Sequence, residues 1–318
     1  MADILTNVNT VPNALQAEYW QRMFLSVLEA NLLFSRFGIQ GQLPAHSGRS
    51  VFWPRVENIA MVVTSQAGAS EGKDPDAAAI SVNVVSAQLA QYKQWYRLSD
   101  IWNSTNLPGT TEDLIRRMAY RGALSVDTVI RDSVMTAGGS AQIAGTAVVR
   151  TSMNRNGSFD LDVAEIRQAV MKLRGDNVPT FGDGLFAAIV HPNAEYDLQG
   201  DSDWTDIVNN TVAGINRAFQ GFIGNTYGCN FFVSTQAKVV ADGASAGASA
   251  DVAQTYIFGE EYYGVANPRD VEIIIKDPAP ASPLNSYASY GWKLWMAATQ
   301  LASARHTRIE SALGIDNS

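Results

Sequence analysis

The chain has 318 residues, of which 46% are hydrophobic and 17% charged, and its formal net charge is −8. This composition is typical of a globular protein, and the low charge content suggests that much of the surface meets other protein. No run of Lys and Arg forms a phosphate-binding stripe, so specific nucleic-acid binding is disfavoured. The single cysteine, Cys229, excludes an intrachain disulfide and fits a reducing compartment.

The N-terminal residues lack the charged and apolar regions of a secretory signal. The apolar run at 185–190 is too short to cross a bilayer. We therefore expect a soluble, cytoplasmic product without a membrane partner.

An amphipathic helix is predicted at 15–37, with Trp20 and Phe24 on its broad apolar face. Gly38 and Gly41 end it. Two interpretations remain open for this helix. It packs in the core of its own chain, or it forms an arm that docks on a neighbouring copy.

Two strand-like stretches at 50–64 and 80–97 flank a polar tip at 65–76, which predicts one very long β-hairpin. At ~3.3 Å per residue each arm would reach about 50 Å, whereas ordinary strands stop at roughly 20 Å. A two-stranded ribbon alone is barely stable in water, so we expect this one to lie on a neighbouring copy of the chain. Pro54 restricts the outgoing arm to an edge strand or a bent one.

A long amphipathic helix is predicted at 111–137, and at 1.5 Å rise per residue it forms a rod of roughly 40 Å. A second helix is predicted at 160–174, capped by Asp160 or Asp162. A buried strand at 185–190 runs into a helix that begins near Pro192. Further strands complete an α+β layout, at 143–151, 231–235, 256–258, 271–276, 289–300 and 304–311.

Candidate catalytic and ligand-binding motifs fail on their spacing or context. The tip around Gly72 and Lys73 is one residue short of a phosphate loop. Ser245 matches a nucleophile-elbow pattern but lies in an Ala/Ser/Gly linker; a hydrolase built on it is kept only as the rival from another functional class. The three histidines are scattered, so no metal site is predicted. No catalytic residue and no cofactor is predicted.

Several motifs occur in a characteristic order. Gly-Arg-Ser-Val-Phe-Trp-Pro-Arg opens the hairpin at 48–55, and Glu-Gly-Lys-Asp-Pro forms its tip at 71–75. Tyr-Arg-Leu-Ser-Asp ends the return arm at 96–100, and the long helix follows. Later matches are His191-Pro192, the segment 221–228 and the closing segment 291–310. With these motifs in succession, nearly the whole chain resembles the tailed-bacteriophage major capsid proteins with the Hong Kong ninety-seven fold, and most closely their short-tailed-phage branch.

The resemblance implies a non-enzymatic coat protein with an α+β phage major-capsid fold. Its parts would be an N-terminal arm at 1–47, an extended β-hairpin loop at 48–99, a long spine helix, a peripheral domain at 100–180 and 284–318, and an axial domain at 181–283. Such a protein assembles in the host bacterial cytoplasm into hexamers and pentamers of an icosahedral head that encloses double-stranded DNA. An encapsulin-like protein nanocompartment shell, which shares the fold, is the alternative.

The resemblance also implies partners and contacts. The expected partners are copies of the chain, a separate scaffolding protein, a portal, and packaged DNA held without sequence-specific binding. One branch of the family crosslinks subunits through a lysine on the loop; Lys73 lies on that element, but no acceptor or acid catalyst is identified, so crosslinking is not predicted. The residues expected to contact neighbouring subunits are Arg49, Trp53, Arg55, Gly68, Glu71, Gly72, Lys73, Asp74, Trp95, Trp20 and Phe24.

Overall fold

The computed structural model describes residues 19–27, 32–43, 48–56, 80–105, 110–136, 140–147, 149–155, 157–204, 224–244, 250–276, 284 and 286–314. The main helices are α1 (19–27), α2 (Asp100–Thr105), α3 (Thr110–Ile130), α4 (Val163–Gly175) and α5 (Pro192–Gly200). The strands are β1 (Ile39–Gln40), β2 (Ser50–Val56), β3 (Val82–Gln88), β4 (Ala90–Ser99), β5 (Ser140–Ile143), β6 (Phe186–Val190), β7 (Asn225–Thr226), β8 (Cys229–Val233), β9 (Val239–Ala244), β10 (Ala250–Phe258), β11 (Tyr263–Lys276), β12 (Tyr287–Gln300) and β13 (His306–Ala312). The predicted α+β layout is confirmed.

The long helix α3 packs on a four-stranded sheet with the order β1-β11-β12-β4. Alternate residues of β12, including Trp292 and Leu294, point to α3 and share one buried cluster with Ile115 and Met118 of the helix. We call the face that meets α3 the inner face of this sheet, and the opposite face its outer face. The predicted rod is confirmed, although it leaves α-helical geometry at its C-terminal end, where Arg131–Met135 form a π-helical turn.

A second core forms between helices α4 and α5 and a larger sheet. Strands β5, β13, β10, β6, β8 and β7 lie side by side in that order, and β9 also pairs with β10. Every residue of β6 is buried, as its continuous apolar run predicts. Of the two predicted helix caps, Asp162 is the one used: its Oδ1 accepts the backbone N–H of Glu165 at 3.1 Å.

The predicted N-terminal helix is confirmed at 19–27 but is wrong at its C-terminal end. Phe34–Arg36 form a 3₁₀ turn where the helix was expected to continue. The backbone N–H groups of Leu33 and Phe34 donate to the two carboxylate oxygens of Asp127 on α3, at 2.9 and 3.2 Å. This long-range contact fixes a bend in the chain.

The predicted hairpin is confirmed where it is described, because β2 and β3 pair in antiparallel register from Ser50↔Gln88 to Val56↔Val82. The prediction that 80–97 forms one continuous hairpin arm is wrong. The chain changes partner at Leu89, and β4 beyond it pairs with β12 from Ser99↔Tyr287 to Ala90↔Met296. The first part of the return arm, β3, therefore belongs to the two-stranded ribbon, and the second part, β4, belongs to the four-stranded sheet.

The remaining predicted strands occur with shifted ends. The strand predicted at 143–151 is wrong, since β5 ends at Ile143 and Arg150–Ser152 form a 3₁₀ turn. Arg150 faces inward instead, where its Nε donates to Glu310 Oε2 of β13 at 2.8 Å.

Candidate intersubunit surfaces

The two-stranded ribbon, β2 with β3, has one face against its own chain and one face open. Val51 and Trp53 point to the same side because they are two residues apart in a strand. They form a buried cluster with Leu89, Ala266 and Ala297. Ala266 and Ala297 are cross-strand partners, and they point away from α3. The ribbon is therefore seated on the outer face of the four-stranded sheet, at one end.

Trp53 is the anchor of this contact. Its indole lies across two glycines: a Cβ at Gly41 would be 2.6 Å from Trp53 Cζ2, and a Cβ at Gly264 would be 2.5 Å from Trp53 Cε2. Any larger residue at either position would displace the ring. The family resemblance led us to expect Trp53 at a contact between subunits, but this residue is only 6% exposed. We therefore assign Trp53 to the core of its own chain.

Two arginines hold the base of the ribbon in place. Arg49 Nε donates to the carbonyl oxygen of Leu89 at 3.0 Å, and Arg55 Nη1 donates to that of Leu301 at 3.2 Å. Both residues were expected to contact a neighbour. Within the described residues, these bonds give each of them a role inside its own subunit.

The other face of the ribbon is apolar and exposed. Phe52 and Val84 are 61% and 59% exposed, and Pro54 lies between them as the cross-strand partner of Val84. Val82 and Ile80 extend the same surface toward the tip. This surface was missed at the sequence level, although the alternation Val51-Phe52-Trp53 shows that one of the two aromatic residues must face away from the other.

Another part of the outer face of the sheet carries an exposed tryptophan among charged side chains. Trp95 is 59% exposed, as expected for a contact residue, and lies beside Arg97. The Arg97 guanidinium stacks over the Tyr287 ring at 4.3 Å. On the neighbouring strands, Lys293 Nζ lies 3.1 Å from Glu272 Oε2.

The N-terminal helix α1 docks on its own chain. Phe24 is fully buried in the cluster that contains α3, and Trp20 packs partly buried against the same cluster. The Gln21 side-chain amide bonds to the edge of β11: it donates to Val271 O at 2.5 Å and accepts from Ile273 N at 2.8 Å. The core-helix interpretation holds for Phe24, which we no longer retain as a contact between subunits.

A buried carboxylate fixes the chain just after α1. Burial raises the pKa of Asp127 to about 6, and the N–H groups of Leu33 and Phe34 and the charge of Arg36 partly offset that effect. The hydroxyl of Tyr263 donates to the carbonyl oxygen of Phe34 from the other side. This segment is thus clamped between α3 and β11.

The tip residues Gly68, Glu71, Gly72, Lys73 and Asp74 lie outside the described residues, as does Ser245. Among the residues that are described, no group of His, Cys, Asp and Glu is placed to hold a metal ion. No helix in the described ranges is long and apolar enough to span a bilayer.

Cys229 is a buried thiol in strand β8, and His191 lies at the start of helix α5. Burial raises the pKa of the Cys229 thiol to about 12, which opposes formation of a thiolate. His191 caps α5, with its Nδ1 accepting the N–H of Asn193 at 3.2 Å. Burial lowers the pKa of His191. Both side chains serve the fold.

Several solved structures of phage capsids and related particles are similar to this chain. A solved structure from Mycobacterium phage Che8 superposes with a TM-score of 0.62 at 16% identity, over 87% of this chain and 90% of that one. The capsid of cyanophage Pam1 gives 0.62 at 14% identity, over 99% and 100%. A virus-like particle from Pyrococcus furiosus gives 0.53 at 8% identity, over 92% and 99%. At these identities the likeness shows a shared fold.

Sequence comparison supplies the family. No curated protein matches the sequence significantly. The model of a family described as phage capsid protein matches residues 82–300, from the first residue of β3 to the last of β12. That range is more than half of the chain and includes the return arm, α3 and most of both sheets. The α+β capsid fold is confirmed, and the chain belongs to the phage capsid protein family.

Proposed function

We propose that this chain is a major capsid protein that assembles into the hexamers and pentamers of an icosahedral phage head around double-stranded DNA. Membership of a structural family assigns it to the virion capsid and gives it no enzymatic role. The observation that carries the mode of assembly is the exposed apolar face of the ribbon, formed by Phe52, Pro54, Val82 and Val84.

This face has the properties of an interface between subunits. Burying apolar surface away from water lowers the free energy by about 25 cal/mol per Å². The opposite face is held by Trp53, so the ribbon cannot fold over to bury both faces on its own chain. In a closed shell every subunit has a neighbouring copy, and that copy would bury the exposed face of the ribbon. The ribbon, together with the tip around Lys73, would then act as a clamp on the next subunit.

The same proposal divides the chain into an arm, a loop and two domains. Residues 1–47 would be the N-terminal arm and 48–99 the extended loop. Residues 100–180 and 284–318 would form the peripheral domain, which contains α3. Residues 181–283 would form the axial domain around hexamer and pentamer centres. The order of the sequence motifs supports placement in the short-tailed-phage branch.

Further partners belong to this proposal. A separate scaffolding protein and a portal would take part in assembly. The packaged DNA would be held without sequence-specific binding, and it would meet a chain of net charge −8, which disfavours tight binding of the DNA to the shell. The tip residues Gly68, Glu71, Gly72 and Asp74, with Trp95 and Trp20, remain proposed contacts between copies.

An encapsulin-like shell is the second candidate, favoured by the fold likeness to the Pyrococcus furiosus virus-like particle. Both candidates predict closed shells. A terminase or portal gene beside this one in its genome supports the phage head, whereas an adjacent cargo enzyme with a docking peptide supports the nanocompartment.

Electron microscopy of the purified chain, with its scaffolding partner if one is encoded, tests assembly. We expect uniform shells or hexameric and pentameric rings. The variant Val84→Asp places a charge on the exposed ribbon face and should abolish them, while Val84→Thr keeps the β-branched shape and should retain them. A chain that stays monomeric under all conditions contradicts the proposal, as does normal assembly of Val84→Asp.

A further inference from the structure

A cavity of about 400 Å³ lies at the base of the ribbon. Arg55 of β2 lines it from the ribbon, and Arg305, in the short 3₁₀ turn between β12 and β13, lines it from the body of the chain. Ile39 and Leu301 add apolar walls. Two guanidinium groups from separate elements thus share one cavity. Because like charges repel, an anion between them would lower the electrostatic energy.

The contacts of these two guanidinium groups use only part of their hydrogen-bonding capacity, since each group carries several N–H donors in a planar fork. Arg55 Nη1 donates to the carbonyl oxygen of Leu301 at 3.2 Å. Arg305 Nη1 donates to the carbonyl oxygen of Glu260 at 3.3 Å and to the carboxylate of Glu261. Within the described ranges, no protein acceptor meets Nε or Nη2 of either arginine. These donors are available to a ligand.

Trp53 adds a buried donor to the same cavity. Its indole is one of the lining groups, the residue is 6% exposed, and among the described residues Nε1 has no hydrogen-bond partner. Buried N–H groups are nearly always hydrogen-bonded, because an unpaired one loses its bond to water without replacement. Gly41 and Gly264 keep side chains away from this nitrogen, since a Cβ there would lie 3.0 and 2.7 Å from it. A ligand oxygen that reaches this side of the cavity would supply the acceptor.

The arrangement of the donors indicates the class of ligand. A phosphate group is tetrahedral and carries enough oxygens to accept from both guanidinium forks and the indole at once. The cavity volume falls within the range of small-molecule sites, roughly 300–1,000 Å³. In the described part of the chain, Glu261 is the one acidic residue that lines the cavity, and its side chain is 56% exposed. It therefore lies at the rim, and one net positive charge remains.

We propose that this cavity binds a phosphate group, either inorganic phosphate or a phosphate of DNA, between Arg55 and Arg305. Because Arg55 belongs to the ribbon and Arg305 to the body of the chain, the bound phosphate would bridge the two and hold the ribbon on the sheet. This inference goes beyond the proposed function, since the site lies within one subunit and does not depend on shell formation.

Thermal unfolding of the free subunit tests the site. The full chain is titrated with sodium phosphate at constant ionic strength, balanced with sodium chloride, so that general screening stays the same. We expect the thermal midpoint to rise and level off, because a ligand that binds the folded state stabilises it. Amide hydrogen exchange in β2 and β3 should slow in parallel. A wild-type midpoint that does not respond to phosphate overturns the proposal.

Matched variants separate the site from general effects of charge. Arg55→Gln and Arg305→Gln should each weaken the apparent phosphate affinity by about tenfold or more, since each removes a charged donor. Arg97→Gln removes the same charge near the opposite end of β12, where Arg97 pairs with Ser289, and should respond like wild type. Equal losses in Arg55→Gln and Arg97→Gln contradict the site.

Glu261→Gln gives a prediction of opposite sign. It removes the carboxylate that shares Arg305 with the ligand, so the apparent phosphate affinity should increase. Circular dichroism without phosphate checks that each variant folds. If Arg55→Gln does not fold, the gain expected for Glu261→Gln still tests the site, and a weaker response of that variant overturns it.

Parallel titrations identify the source of the phosphate. A short double-stranded DNA and sodium acetate each replace sodium phosphate at the same ionic strength. A rise with DNA that disappears in Arg55→Gln assigns the site to the DNA backbone, and a rise with inorganic phosphate alone assigns it to the free ion. A response to acetate as strong as that to phosphate overturns phosphate as the ligand. Failure of the wild type to form shells, by contrast, removes the proposed function and leaves this site standing.

Discussion

Phe52 and Trp53 are adjacent residues with opposite surroundings, and this contrast makes a matched test. Trp53→Ala removes the ring that seats the ribbon on Gly41 and Gly264. Deleting a buried aromatic side chain costs about 3–5 kcal/mol. We expect amide hydrogen exchange in β2 and β3 of the free subunit to accelerate accordingly, because the ribbon opens without global unfolding.

Phe52→Ala is the control for that variant. Its side chain is 61% exposed, so exchange in the free subunit should stay near wild type while shell formation weakens. Equal exchange rates in the two variants would contradict the assignment of one face to the chain's own core and the other to a neighbour.

Gly264 tests the same contact from the other side. In Gly264→Ala the new methyl group would overlap Trp53 Cε2, and overpacking of this kind costs about 1–3 kcal/mol. We expect a red-shifted tryptophan fluorescence and a lower thermal midpoint as the indole moves toward water. Gly182→Ala meets no atom within 4 Å and should change neither quantity. Matching midpoints for the two variants would refute the close approach of Trp53 to β11.

Asp127 gives a prediction about pH. Its pKa is raised by burial from 3.8 to about 6, so the folded chain holds this proton more tightly than the unfolded chain. The stabilisation from this group is therefore complete below about pH 4 and is lost as the pH rises through about 6. Asp127→Asn lacks it, and the stability of wild type relative to this variant should fall between pH 4 and 7. Parallel curves of unfolding free energy against pH would contradict the shift.

At the level of elements, the sequence pattern predicted correctly those helices and strands whose position depends on residues close together in the chain. The apolar stripe of α3 and the buried run of β6 appear where their periodicities place them. The cap of α4 required a choice between two aspartates, and only the structure shows that Asp162 is used. Helix α3 buries one face and strand β6 is buried along its whole length, so the spacing of their apolar residues is enough to predict where each of them lies in the chain.

Other element boundaries depend on contacts that a linear pattern does not contain. The return arm was predicted as one strand-like stretch at 80–97, yet its partner changes from β2 to β12 at Leu89. Asp127 accepts the N–H groups of Leu33 and Phe34 from a position about ninety residues away in the chain, where the helix had been predicted to continue. Tertiary contacts of this kind override local propensity.

At the level of the whole molecule, the family could be inferred from the order of motifs, but the contact surface could not. Four aromatic residues, Trp20, Phe24, Trp53 and Trp95, were predicted to contact a neighbour. In the structure Phe24 and Trp53 are buried in their own chain, whereas Trp95 is exposed, as is Phe52, which was not predicted. Which aromatic residue is available to a partner depends on how the ribbon sits on the sheet.

Removal of the hairpin tip tests the ribbon as a clamp between subunits. The deletion of 66–78 leaves intact the contacts that seat the ribbon base, including Trp53 with Gly41 and Gly264 and Arg55 with Leu301. We therefore expect the free subunit to keep its circular dichroism spectrum and its thermal midpoint. Shell formation should be lost, because the deletion removes the proposed contact of the tip with the next subunit.

Two measurements separate the outcomes of that deletion. Analytical ultracentrifugation should show monomers in place of shells or rings, and co-assembly with excess wild type should incorporate the deleted chain at a reduced level. The substitution Lys73→Ala in the full-length chain is the control, since it keeps the ribbon length and removes one tip side chain. If the deleted chain assembles as well as wild type, the tip makes no essential contact and the clamp is confined to the exposed face around Phe52 and Val84.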